Sequence, residues 1–228
     1  MPAYRSSAET EIRTAVVARL RELRPAARII HEINNCLGGN RLDLLAVSPA
    51  EIVAVEIKSK KDKLDRLPAQ IEAMQGVAHV AVSALHEKFC PEKPGSLYYC
   101  DYERSGEFYR RDRPKEAGYS KVWAYAGVKA ETYRISRHSL FRWDLPELAV
   151  QKPLPADAIH ILWSEELRWL CSKLRIDAPK RANTQRLKNN IRWMATGGEV
   201  TRGICAALRR RDCIEADPII DDEWRPIR

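Results

Sequence analysis

Apolar residues first recur at helical spacing in residues 6–23, where Ile12, Val16, Leu20 and Leu23 fall on one stripe. Ser6 and Glu9 have capping-box spacing at the start of that stretch, and Pro25 marks its end. Arg13, Arg19 and Arg21 lie largely outside the stripe. The period then changes from helical to alternating. Residues 27–33 (ARIIHEI), 41–47 (RLDLLAV) and 52–58 (IVAVEIK) read as three strands. A turn over 34–40 holding Gly38 and Gly39 makes the first two an antiparallel hairpin, and Pro49 marks the loop before the third. Helical spacing returns with Leu64, Leu67, Ile71 and Met74, and Pro68 sets the helix start. Residues 79–85 (HVAVSAL) read as a buried strand after that crossover helix. This order predicts an α/β fold: a mixed sheet flanked by helices, with a small helical module at the C-terminal end.

Beyond residue 85 the pattern is weaker. Residues 97–111 read as a hairpin about Ser105 and Gly106, and 122–128 and 131–136 as two further strands. Tyr98, Tyr99, Tyr102, Tyr109, Trp123, Tyr125 and Tyr133 interleave there with Arg and Lys, as sheet packing or base stacking would require. A Pro-containing linker follows at 151–157. Three helical stretches come next: one through Leu162, Trp163, Leu167, Leu170 and Leu174, one over 183–195 with Leu187, Ile191 and Met194 inward, and one over 199–211 through Val200, Ile204 and Leu208. Gly197 and Gly198 separate the last two. The organisation expected is therefore residues 1–150 (a core at about 6–85 with a β-rich extension over 86–150) and a basic three-helix module at 151–228 with a loose tail.

Charge narrows the partners. The chain of 228 residues carries a formal net charge of +8, which favours polyanions, nucleic acid first. No apolar run approaches the roughly 18 residues of a membrane span, and the N-terminus lacks a signal-peptide pattern. Six scattered cysteines without a CxxC pair suit free thiols in a reducing cytoplasm. Cytoplasmic localisation and no membrane contact are the expectations.

The anomaly lies in the third strand. Ala54, Glu56 and Lys58 share one face there, while Val53, Val55 and Ile57 share the other. A carboxylate and an ammonium among apolar neighbours are costly to bury without a purpose. Asp43 on the preceding strand can join Glu56 on one face, and the Ile57 carbonyl adds an oxygen. Two carboxylates holding Mg²⁺ or Mn²⁺, with Lys58 to orient water or offset charge, is the equipment for hydrolysing a phosphodiester. Glu32, just before the turn, comes within reach of Asp43 across the hairpin. Glu9 and Glu11 are weaker acidic candidates, because first-turn acids complement any helix dipole.

Asp43, a spacer of twelve residues, then Glu56-Ile57-Lys58 resembles the D…(D/E)xK signature of the PD-(D/E)xK nuclease superfamily. The context VAVEIKSKKDKLDRLPAQI is similar to its VRR-type and related phage or bacterial members, although Leu42 stands where the archetype has proline. The match covers roughly residues 6–85. The resemblance implies a restriction-endonuclease-like core, metal binding by Asp43 and Glu56, catalytic duty for Lys58, and a supporting role for Gln70. It also implies a further acidic position at Glu32, catalytic or metal-binding.

The expected function is metal-dependent cleavage of DNA in repair, recombination or phage DNA processing. The alternative is a non-cleaving DNA-binding or protein-interaction module on the same fold. Basic residues expected to grip the backbone are Arg41, Lys60, Lys61 and Arg66 near the site, and Lys180, Arg181, Arg186, Lys188, Arg209 and Arg210 in the C-terminal module. Cutting both strands would call for a homodimer, but no dimer seam is legible.

Overall fold

The computed structural model describes residues 5–34, 41–126, 139–148 and 152–221. A mixed α/β fold results. Helix α1 (Ser7–Leu23) leads into β1 (Arg28–Asn34), β2 (Arg41–Val47) and β3 (Ile52–Lys58), then α2 (Leu67–Gln75) and β4 (Val80–His86). β5 (Glu92–Pro94), β6 (Tyr102–Arg104), β7 (Glu107–Arg111) and β8 (Lys121–Tyr125) follow. The chain closes with α3 (Ser164–Leu174), α4 (Thr184–Met194) and α5 (Gly197–Arg210). The main sheet has the order β1-β2-β3-β4-β8, antiparallel on the β1 side and parallel from β3 onward. A small second sheet, β5-β7-β6, carries the expected hairpin, with Ser105 and Gly106 both at positive φ.

Sequence logic accounts for most boundaries. Ser6 caps α1 by accepting from the Glu9 N–H at 3.3 Å. Pro68 sits in the first turn of α2, where its missing N–H costs nothing. β3 is buried along its whole length because both of its faces are covered. On one face Ile12, Val16 and Leu20 of α1 pack against Ile29, Leu44, Val53, Val55 and Ile57. On the other, Ile30, Leu45, Ile52 and Ala54 join Leu67, Ile71 and Met74 of α2. That same apolar cluster runs without interruption into Leu167 and Leu170 of α3, Leu187 and Ile191 of α4, and Ile204 and Leu208 of α5.

Arg28 ties β1 to the C-terminal helices. It is buried, and its guanidinium donates to the carbonyls of Leu208, Arg209, Arg211 and Asp217 at 2.7–3.1 Å. Carbonyls at a helix end lack intrahelical partners, so a cation there satisfies them and complements the helix dipole. Residues 215–217 also lie along the outer edge of β1, with His31 N–H donating to the Glu215 carbonyl and Asp217 N–H to the Ile29 carbonyl, each at 2.9 Å.

Several expectations change. Trp163 is not on a buried stripe; it precedes α3 as its N-cap and is 54% exposed. Residues Ala156–Ile161 form a 3₁₀ turn, which rotates Leu162 inward and Trp163 out. Met194 is exposed at the end of α4 rather than packed. Gly197 and Gly198 open α5 instead of separating it, because Thr196 and Glu199 form its capping box. The glycine turn at 35–40, the strand expected over 131–136 and the tail from residue 222 lie outside the described residues.

Candidate metal-centre site

The sheet opens at one place, and the unusual charges gather there. The β1–β2 ladder pairs His31 with Leu44 and Ile33 with Leu42, but skips the pair between them, Glu32 and Asp43. Glu32 has φ +53°, a left-handed conformation that costs a non-glycine residue about 1 kcal/mol or more. The β2–β3 ladder likewise ends at Leu44 and Val55, one position short of Asp43 and Glu56. Asp43 is thereby released from both neighbours. Its carboxylate accepts instead from the Ile57 N–H at 2.8 Å, replacing the lost ladder bond.

Glu56 is 2% exposed and faces α2. Lys58 donates to its Oε1 at 2.6 Å, and the Gln70 amide, from the first turn of α2, donates to the same oxygen. Oε2 of Glu56 is buried without a hydrogen-bond partner. Burial, and then the nearby Asp43 carboxylate, push the Glu56 carboxyl up to about 8. Burial also raises the Asp43 carboxyl, with Ile57 N–H and Arg13 pulling the other way. Two carboxyls each made harder to ionise by one low-dielectric site are held at a cost that a bound cation would offset.

Asp43, Glu56 and the Ile57 carbonyl offer oxygen only, the donor type that a hard divalent cation takes, and Glu56 Oε2 has no hydrogen-bond partner. Among the described residues, no three His, Cys, Asp or Glu side chains gather at ligand spacing.

Glu32 sits among arginines. Its Oε1 accepts from Arg5 at 3.1 Å and Arg13 at 3.0 Å. Its Oε2 lies 2.6 Å from Arg41 Nε as an ion pair and, like Glu56 Oε2, is buried without a hydrogen-bond partner. Arg41 is correspondingly engaged at its Nε, although half of its side chain stays exposed. Glu9 turns to Arg13 at 2.8 Å, and Glu11 accepts from the Tyr125 hydroxyl at 2.5 Å.

Arg13 is the residue the sequence pattern hid. Expected outside the stripe of α1, it is 4% exposed. One nitrogen donates to the Asp43 carbonyl at 2.8 Å, and another reaches Glu9 and Glu32 and lies 3.8 Å from Asp43 Oδ1. The signal available beforehand was Glu9 one helical turn earlier, an i,i+4 partner that aligns a guanidinium along the helix.

The basic residues divide. Lys60, Lys61 and Arg66 are exposed in the loop between β3 and α2, beside the site. Lys180, Arg181 and Arg186 are exposed on and before α4, while Lys188 is half-buried, with Nζ 3.0 Å from His160 Nδ1. Arg210 pairs with Asp221 at 3.2 Å and lies over the Trp169 ring. Arg209 is a correction: it is 5% exposed and donates to the carbonyls of Ala26 and Val47, so it holds the fold together instead of facing phosphate.

The family model described as Bacteriophage P4 protein cII matches residues 3–92, from α1 through β4 and into β5. The matched span carries Asp43, Glu56, Lys58 and Gln70 and excludes the C-terminal helices. No curated protein and no solved structure matches. Among the described residues, no helix is long and apolar enough to cross a membrane.

Proposed function

We propose that this protein is a Mg²⁺- or Mn²⁺-dependent deoxyribonuclease acting in phage DNA processing. The observation that carries the reading is Glu56: a buried carboxylate, one oxygen held by Lys58 and Gln70, the other without a partner, opposite an Asp43 freed from both strand ladders. The similarity of residues 3–92 to a phage protein supports the setting. The restriction-endonuclease-like signature of the same residues supports the reaction class.

Asp43, Glu56 and the Ile57 carbonyl would hold the cation, which when bound neutralises the scissile phosphate and acidifies water. The chain's own residues do the rest. Gln70 and Lys58 fix the rotamer of Glu56, so its free oxygen has one direction to point. Lys58 presents an ammonium beside the reacting phosphate, where it offsets developing charge and can deliver a proton. Arg13 and Ile57 N–H fix Asp43. The exposed Lys60, Lys61 and Arg66 grip the adjoining backbone.

The test is a panel of labelled DNA structures incubated with Mg²⁺, Mn²⁺ or EDTA. Cleavage is expected with either metal and none with EDTA. Lys58→Met and Asp43→Asn should each lower the rate on the order of 10²- to 10³-fold with the circular dichroism spectrum retained. Cutting at the wild-type rate by either variant in Mn²⁺ sinks the assignment. Metal uptake with no cleavage of any DNA would leave a binding module in its place.

A further inference from the structure

Helix α4 turns Leu187 and Ile191 inward and leaves its opposite side open to solvent. Gln185, Asn189 and Trp193, spaced four residues apart, run along the middle of that open side, with Arg186 beside them. Trp193 is 88% exposed. Neither the apolar core nor the candidate metal centre uses this face.

Its charge is one-sided. From residue 178 to residue 198 the chain carries Lys180, Arg181, Arg186, Lys188 and Arg192 and no aspartate or glutamate. Lys188 and Arg192 lie at one margin, against the 3₁₀ turn. Lys188 Nζ is 3.0 Å from His160 Nδ1, and Arg192 donates to the Ala156 carbonyl at 2.7 Å and pairs with Asp157 at 3.3 Å. Lys180, Arg181 and Arg186 make no ion pair among the described residues. Their backbone is nevertheless fixed. Arg168 of α3 donates to the carbonyls of Pro179, Lys180 and Ala182 at 2.8–3.1 Å, and Asn183 caps α4 by accepting from the Arg186 N–H at 2.9 Å. Three unpaired cations on a fixed backbone, in a segment without a carboxylate, fit a row of phosphates.

Beside the cations stand two amides. Gln185 Nε2 donates to Asn189 Oδ1 at 2.9 Å, which holds the pair together. The Gln185 carbonyl oxygen and the Asn189 amide N–H groups have no partner among the described residues. An acceptor beside a donor is the complement of the N6 amino group and N7 that adenine presents in the major groove. An α-helix about 10–12 Å across matches a groove about 12 Å wide, and a single strand offers no such groove. We infer that α4 enters the major groove of duplex DNA, reading base edges with Gln185 and Asn189 while Lys180, Arg181 and Arg186 hold the adjoining phosphates, so that the protein selects its duplex by sequence. The inference rests on the proposed function for DNA as the partner, and not for the cut.

The test incubates the full chain in EDTA with duplexes randomised over a short central window, and sequences the bound fraction. A motif containing adenine should be enriched. The double variant Gln185→Ala, Asn189→Ala should weaken binding of the enriched duplex about tenfold and leave an unenriched duplex unchanged. The triple variant Lys180→Ala, Arg181→Ala, Arg186→Ala should weaken every duplex alike. It should also lower the slope of log affinity against log salt by about one for each cation removed. All five side chains are exposed, so both variants should keep the wild-type circular dichroism spectrum. The inference is overturned by an absence of any enriched motif, by a motif that the double variant still selects, or by tighter binding of single strands. An unchanged salt slope in the triple variant also overturns it, and would leave this face to a protein partner. Cleavage of the enriched duplex in Mg²⁺ is followed in parallel. Sequence-selective binding that depends on α4, without cutting, keeps the helix and removes the nuclease. Cutting that neither variant alters, with no enriched motif, does the reverse.

Discussion

At the scale of single residues, the site is built from departures from rule. Glu32 adopts a left-handed backbone and pays for it with three guanidinium contacts, from Arg5, Arg13 and Arg41. Two substitutions separate those effects. Glu32→Ala loses the ion pairs and keeps the strain, whereas Glu32→Gly loses the pairs and the strain together. Glycine should therefore be the more stable of the two by about 1 kcal/mol in urea unfolding. Equal midpoints would mean that the backbone is not strained. Glu56 makes a pH prediction. Its carboxyl, raised to about 8 by burial and by Asp43, keeps in the folded state a proton that the unfolded chain releases near its ordinary 4.5. The stability linked to this proton is fully present below about 4.5 and is lost as pH rises to about 8. In metal-free buffer, unfolding free energy should fall across that window, and less steeply in Glu56→Gln, whose amide cannot titrate. Parallel slopes for the two proteins would contradict the cause assigned to the shift. By the same linkage, Mg²⁺ affinity should rise with pH up to about 8, because binding must displace that proton.

At the scale of elements, the strands and helices nearest the site were legible in the sequence. The bounds read for the second and third strands, 41–47 and 52–58, are those of β2 and β3, and Pro68 placed α2. Alternation and proline act locally, so local sequence reveals them. The convergence of Asp43, Glu56, Lys58 and Gln70 followed from register, which alternation constrains. What stayed hidden depends on distant partners. Arg13 is buried only because Glu32 and the Asp43 carbonyl lie across from it, 19 and 30 residues away in sequence. Arg209 reads as a surface cation until Ala26 and Val47 supply its acceptors. Trp163 continued an apolar stripe on paper, but a 3₁₀ turn changed the phase before the helix began. Arg28 belongs to the same class, and it yields an element-level prediction. Arg28→Met should remove the cap from the end of α5 and destabilise the protein by about 3 kcal/mol, since four carbonyls, three of them in buried hydrogen bonds, lose a charged donor at once. Hydrogen exchange should rise first in α5 and β1. A loss below 1 kcal/mol would mean that water replaces the guanidinium without penalty.

At the scale of the whole molecule, the C-terminal helices share one apolar cluster with the sheet and α2. A chain ending before α3 would expose Ile30, Leu45, Ile52 and Ala54 on the face that those helices help cover, and would leave the Arg28 cation without its acceptors. Such a truncation should accumulate in the insoluble fraction or unfold without a cooperative transition, even though it keeps every residue of the candidate metal centre. A sharp urea transition at the full-length midpoint would show that the sheet is self-sufficient. The edge of β1 carries this dependence into time. Its outer hydrogen bonds are made by residues 215–217, some 190 positions later in the chain. On a ribosome adding roughly 5–20 residues per second, the first strand would emerge about ten seconds or more before the segment that lies along it. Through that interval a bare strand edge is open to any other extended peptide. This protein's vulnerable moment is its synthesis, and its yield should depend on translation rate more than its finished stability suggests.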